Sequence, residues 1–332
     1  MKQMVLVAAL VAVVIVIVFT LHSKQPNPTI LIFEDGEADF RSGVDRYTKD
    51  NKLKINPVTI RVDQPVSEVE KNLRKYHSCY AIGPRISSEA LTLLPYLEKF
   101  QIFTIAPLVT SPKVVGKSKY LMSLSPSDEL QARDLVERLQ KDLRKSTVVI
   151  CDRNNIAYSE SLFQMMVQFS PLSFDCLYID SVDELVNFDF SKYDSVVLIV
   201  DGRVAGLVAQ LALRKGFNGI IYGSDYAYTD ALITTGSSAV EGMILYGLFD
   251  LSQMTKFGFT SLEHAGSYDA LMVILTLVSS KIKTTEASNY LQGKTFKGAT
   301  GTFTVSSDLS VFRTTNFVTV RNAQFIADEV KK

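Results

Sequence analysis

Three loops hold the side chains with the most chemical promise. Gly83-Pro84-Arg85-Ile86-Ser87-Ser88 follows the apolar run "CYAI" (79–82) and leads into a helical stretch beginning near Glu89. A hydroxyl at a helix N-terminus lies beside backbone N–H groups that have no partner inside the helix, a setting that suits an anion. The competing role for such a hydroxyl is a plain helix cap. Ala106-Pro107-Leu108-Val109-Thr110-Ser111-Pro112 follows "IFTI" (102–105); two prolines stiffen it, and Thr110 is placed to reach the same anion. Ser224 and Asp225 follow "GIIYG" (219–223), where a carboxylate either meets a cation or caps a helix. Two hydroxyl loops and one carboxylate together describe a receptor for a zwitterion. A fourth feature is the acidic run Glu34, Asp35, Glu37 and Asp39. It is compatible with a solvated turn whose acids favour the next helix N-terminus, with a rim that selects a cationic ligand, or with a metal loop. Calcium loops also need a bidentate Glu downstream, which the following residues do not supply.

Other chemistries find little support. His22, His77 and His264 are far apart, and Cys79, Cys151 and Cys176 do not have zinc-site spacing. A nucleophile needs an oriented base and a third group, and neither a Ser/His/Asp nor a Cys/His set is visible. The expectation is a non-enzyme with no metal and no cofactor. The 35 basic and 35 acidic side chains cancel, so the cationic footprint of a nucleic-acid binder is missing. Cys151 and Cys176 are expected on successive strands as buried thiols, with a disulfide conceivable in an oxidising compartment.

The elements that must position these loops follow a regular rhythm. Beyond the runs already named, β-branched stretches recur at "TILIF" (29–33), "VTIRV" (58–62), "TVVIC" (147–151) and "SVVLIV" (195–200). Helical periodicity lies between them. In 128–143 a stripe of Leu130, Leu135, Leu139 and Leu143 predicts a helix that starts around Ser125-Pro126-Ser127-Asp128. The stretch 207–219 predicts one that stops at Gly216. Alternating strand and helix means parallel sheets covered on both faces, and 332 residues exceed one comfortable core. In such sheets ligands bind beyond the carboxyl ends of the strands. Residues 4–21 are free of charge, Gly and Pro. As a helix they span about 27 Å, enough for a bilayer core. They predict an N-terminal transmembrane anchor over 1–25, with a cleaved signal as the alternative, followed by a short polar linker. The rest of the chain is then expected outside the cytoplasm.

Several motifs, in order, resemble one family. "AIGPRISSEALTLLPYLEKFQIFTIAPLVTSP" and "YLMSLSPSDELQARDL", then "YSESL" (158–162), "GSD" (223–225), "VEGM" (240–243), "SYDAL" (267–271) and "FKGATGTFTVSSD" (296–308), are similar to the type I periplasmic solute-binding proteins, in particular the leucine/isoleucine/valine-binding branch. The resemblance implies two doubly wound α/β lobes joined by three crossovers near Ser123–Ser125, Phe249–Leu251 and Val305–Ser310. It implies a first lobe of 27–122 plus 251–304 and a second of 126–248 plus 310–329. It carries ligand-binding roles to Ser87 and Thr110 for a carboxylate, to the Leu108 carbonyl and Asp225 for an ammonium, and to Tyr158 as an aromatic cover. Arg85, Ser88 and Asp201 are further candidates. Asp201-Gly202-Arg203 stands where amino-acid binders of the family commonly carry an aromatic, and Leu108-Val109 replace a small pair. The implied function is an extracytoplasmic receptor that hands an amino acid, with branched-chain types among the candidates, to an ABC transporter permease. A membrane-tethered sensing or partner-binding module of the same fold is the alternative.

Overall fold

The computed structural model describes residues 27–36 and 39–328. β1 (Thr29–Glu34), α1 (Phe40–Asp50), β2 (Asn56–Arg61), α2 (Val66–Leu73), β3 (Tyr80–Ile82), α3 (Ser87–Phe100), β4 (Phe103–Ala106) and β5 (Leu121–Ser123) build the first lobe. Its strands are all parallel, in the order β2-β1-β3-β4-β5. Ile30, Leu31, Ile32 and Phe33 are all fully buried. Both faces of β1 are covered, so it is apolar throughout rather than alternating.

The second lobe repeats the plan with α4 (Asp128–Lys141), β6 (Thr147–Asp152), α5 (Ile156–Phe169), β7 (Phe174–Ile179), β8 (Ser195–Ile199), α6 (Gly202–Arg214), β9 (Ile220–Gly223), α7 (Asp230–Gly236) and β10 (Ile244–Gly247). Its parallel strands run β7-β6-β8-β9-β10, the same order counted from its own first strand. The chain then returns through α8 (Leu251–Lys256), α9 (Leu262–Ser279) and α10 (Ala287–Leu291) to an antiparallel sheet of β11 (Thr295–Gly298), β12 (Gly301–Val305) and β13 (Val311–Phe312). Phe303, Val305, Leu309 and Val311 pack into the first lobe's core. β14 (Asn316–Arg321) and β15 (Gln324–Ala327) finally extend the second sheet antiparallel to β10.

Three differences from expectation have physical causes. The last passage between the sheets falls at 313–315 rather than Val305–Ser310, because β13 still pairs with β12. α4 begins at Asp128 behind Ser127, not at Ser125-Pro126, because Ser125 is buried and donates its hydroxyl to the Pro107 carbonyl at 2.6 Å. In the leucine stripe Leu135 and Leu139 are buried, whereas Leu143 lies past the helix end with φ 57° and is exposed. Cys151 and Cys176, on paired strands, are free thiols with sulfurs 3.8 Å apart.

The fold class needs one correction. No helix among the described residues is long and apolar enough to cross a membrane. α9, the longest at 18 residues, carries Glu263 and Asp269 and is buried on every side from Ala265 to Leu271. The transmembrane helix expected within 1–25 lies outside the described residues. The architecture of the described residues is therefore two α/β lobes, none of whose helices spans a membrane, and the membrane contact and single-pass anchoring inferred from 1–25 are not carried forward.

Both sheets share a topological consequence. When strands run 2-1-3-4-5, connections leave in opposite directions on either side of the first strand, and a crevice opens between the carboxyl ends of strands one and three. In the first lobe it is framed by the loops after β1 and β3, which carry Asp35 and Arg85. In the second it is framed by the loops after β6 and β8, which carry Asn155 and Asp201. Gly83 opens the β3 loop at φ +97°, and a Cβ there would meet the Phe33 carbonyl oxygen at 2.5 Å. A side chain at that position would push β1 and the loop apart.

Candidate functional site

The two crevices meet around one cavity of about 330 Å³. Arg85 joins them: its guanidinium contacts Asp35 at 2.8 Å in its own lobe and Asp201 at 3.1 Å in the other. It also lies over the Tyr226 ring, 5.8 Å from the centroid. Next to it, Ser88 receives the Ala157 amide on its hydroxyl at 3.3 Å, and its own amide donates to Asn155 at 3.2 Å. Deeper in, the Ser111 hydroxyl donates to the Ala157 carbonyl at 2.8 Å. The N-termini of α3 and α5 are thus stitched together across the cleft.

The carboxylate of Asp225 is held from behind. The Tyr158 hydroxyl and, at 2.7 Å, the Gln131 amide both donate to the same oxygen. Gln131 Oε1, 2.8 Å from the Tyr158 oxygen, is the alternative acceptor for that single hydroxyl proton. Asp225 opens a short 3-10 turn whose cap is Ser224, and no side-chain capping bond is made there. Its carboxylate lines the cavity and also takes the backbone amides of Asp225 and Tyr226 at the start of the turn. Burial raises its pKa to about 6, against the pull of the Tyr158 and Gln131 hydrogen bonds, so it is charged at neutral pH. Burial holds the Tyr158 phenol well above its usual range, and it stays a donor.

Sequence-selected residues separate into two groups. Ser87, Leu108, Tyr158, Asp225, Arg85 and Asp201 all line the cavity. Thr110 and Ser88 do not: Ser88 is committed to the contact with α5, and Thr110 is buried beside the Asp128 carboxyl. Complete burial pushes that carboxyl up to about 8, so it remains protonated at neutral pH. Ser87 is the first residue of α3, after Ile86 as cap, and makes no capping bond. The acidic run splits. Asp35 is buried against Arg85, Asp39 caps α1 by accepting from Ser42, and Glu37 lies outside the described residues. Among the described residues no cluster of three or more His, Cys, Asp or Glu is arranged to hold a metal.

Comparison with solved structures decides the architecture. A leucine-binding protein, LivK, from Thermotoga maritima superposes with a TM-score of 0.81 at 17% identity, covering 91% of this chain and 97% of that one. The two are alike in fold. The chain has the type I solute-binding fold. A branched-chain amino acid transporter substrate-binding protein, LivJ, from Streptococcus pneumoniae in complex with isoleucine superposes at 0.80 with 15% identity over 91% of this chain and 99% of that one. An ABC-transporter solute-binding protein from Rhodopseudomonas palustris in complex with 3,4-dihydroxybenzoic acid does so at 0.75 with 11% identity over 91% and 96%. No family model and no curated protein sequence matches the chain.

Within this fold the cavity also recruits residues that the sequence did not single out. Asn155, Tyr226, Tyr228, Asp230, Leu262 and Glu263 line it. Tyr226, one residue past "GSD", and Asn155, four past "TVVIC", follow strand ends and were within reach of the same logic. Glu263 was not, because it reaches the cleft from the first turn of α9, some 180 residues from the loop it faces.

Proposed function

We propose that this protein is a solute-binding receptor that captures a zwitterionic small molecule, an amino acid or close relative, and presents it to an ABC transporter. The observation that carries the proposal is the pairing of two unlike subsites in one interlobe cavity. Asp225 is a buried, oriented carboxylate for an ammonium, and Ser87 stands at the N-terminus of α3, where a carboxylate is favoured. Leu108 and Tyr158 supply a backbone carbonyl and an aromatic wall. Thr110 acts from behind through Asp128 rather than by touching the ligand, while Arg85, Ser88 and Asp201 close the cleft. Likeness in fold to binding proteins supports a carrier rather than an enzyme. The alternative, a tethered sensing or partner-binding module of the same fold that the anchor slightly favoured, is not carried forward.

The test is a thermal-shift screen of the purified protein against amino acids, amides and aromatic acids. A ligand at about 100 times its dissociation constant adds about 2.7 kcal/mol of stability. Small-angle scattering with the best ligand then asks whether the lobes close on it, since the site is divided between them. A smaller radius of gyration at saturation is expected; an unchanged profile with every compound in the screen sinks the receptor proposal.

A further inference from the structure

The charge around the cavity does not balance. Arg85 is the buried cation, and it already faces Asp35 and Asp201. The carboxyls of Glu263 and Glu89 lie within its field as well. Arg203 lines the cavity too, but it is an exposed residue whose charge water screens. On the cavity wall itself stand Asp201, Asp225, Asp230 and Glu263. If Asp225 takes an ammonium and Asp201 stays with Arg85, Asp230 and Glu263 are left over; Asp230 is exposed to water, and His264, which also lines the cavity, faces Asp39 at 3.1 Å, so Glu263 is the buried acid that remains. One of its oxygens accepts from the Asp39 amide at 3.3 Å, its hydrogen-bond donor among the described residues. Burial raises its pKa to about 7, the behaviour of a carboxyl short of a cation.

A second observation concerns the wall of the same cavity. Tyr228 is 2% exposed and lines the cavity, and its hydroxyl has no hydrogen-bond partner among the described residues. A buried phenol hydroxyl normally finds a partner. Asp230 lies close enough to raise its pKa. Leu108, Leu248 and Leu262 line the remaining wall, a surface suited to the methylenes of a long side chain with a polar tip.

We propose that the site takes an amino acid whose side chain ends in a cationic nitrogen, an amine or a guanidine, with Glu263 as its counter-ion and the Tyr228 hydroxyl as a second contact. This rests on the zwitterion receptor proposed above and names its substrate class. Branched-chain side chains would place hydrocarbon against Glu263 and bring it no counter-ion of its own.

The experiment is calorimetric titration of the purified protein with L-arginine, L-lysine, L-citrulline and L-leucine. Citrulline has nearly the shape of arginine but no side-chain charge, so the pair isolates the charge. Arginine or lysine is expected to bind at least roughly tenfold more tightly than citrulline or leucine. Glu263→Gln should weaken the cationic ligand roughly 30-fold or more while changing citrulline by less than about threefold. Tyr228→Phe should weaken the cationic ligand by roughly 3- to 10-fold without unfolding the protein. Equal affinity for arginine and citrulline, tighter binding of leucine, or an equal loss of both ligands in Glu263→Gln overturns the cationic assignment. In those cases any binding that Asp225→Asn abolishes leaves the zwitterion receptor standing. Failure of all four compounds to bind overturns the cationic assignment, and the wider screen decides the receptor proposal separately.

Discussion

Asp225 shows how much one residue's surroundings decide. A carboxylate after a strand is ordinarily a cap, but here Tyr158 and Gln131 both donate to one of its oxygens and hold it against the cavity. Asp225→Asn keeps the shape and an acceptor oxygen but removes the charge. Affinity for the ligand found by screening should fall roughly 30-fold to several thousand-fold, because truncating one partner of a desolvated charge pair costs about 2–5 kcal/mol. Ser87→Ala should cost about 1.5–3 kcal/mol, the range for a hydrogen bond to a charged group. Calorimetric titration of both variants checks this, and wild-type affinity in Asp225→Asn would falsify the ammonium role. Residue types at strand ends were legible in the sequence because topology sends such loops to a ligand. Gln131 and Glu263 were not, since a polar residue in a helix reads as solvated surface until the fold buries it. Thr110 looked equivalent to Ser87 for the same reason, and burial beside Asp128 distinguishes them.

At the level of elements, the central parallel strands were readable because both their faces are covered and they appear as unbroken β-branched runs. Strands β5, β13 and β15 have 3, 2 and 4 residues, too short for a pattern to emerge. β7 and β14 lie near sheet edges and mix polar with apolar residues. The link between lobes was likewise invisible, since Arg85 and Asp201 are 116 residues apart. That link makes a prediction about the loops it joins. Asp35, Arg85 and Asp201 are mostly buried, and removing the shared cation leaves carboxylates in a poorly solvated cleft. Arg85→Gln should destabilise the empty protein by about 3–5 kcal/mol. Asp201→Asn, which leaves Arg85 paired with Asp35, should cost distinctly less. Urea unfolding of the two variants measures the difference. Equal midpoints for Arg85→Gln and wild type would mean that the switch-point loops hold their geometry without the bridge.

For the molecule as a whole, the unusual acids add up to a dependence on pH. Burial raises the pKa of Asp225 to about 6, of Glu89 and Glu263 to about 7 and of Asp128 to about 8. In the unfolded chain these carboxyls release their protons near pH 4. Between roughly pH 5 and 8 the folded protein therefore holds protons that the unfolded chain has lost, and stability falls as pH rises. The stabilising contribution is complete below the unfolded values and is lost on passing the folded ones. Carboxyls shifted the other way, Asp39, Asp63, Glu70, Glu184, Asp189 and Asp308, titrate below that window and do not reverse the trend. One group with a folded pKa of about 7 contributes roughly 2 kcal/mol between about pH 5.5 and pH 8, at about 1.4 kcal/mol per unit. For lobes of this size that corresponds to a melting temperature at least about 4 °C higher at the acidic end. Asp128→Asn, neutral at every pH, should flatten part of the slope. Calorimetric melting of the ligand-free protein across this range decides it: a melting temperature that stays level or drops on acidification to about pH 5.5 would mean that these carboxyls remain ionised in the fold, and that the cavity wall is better solvated than its burial implies.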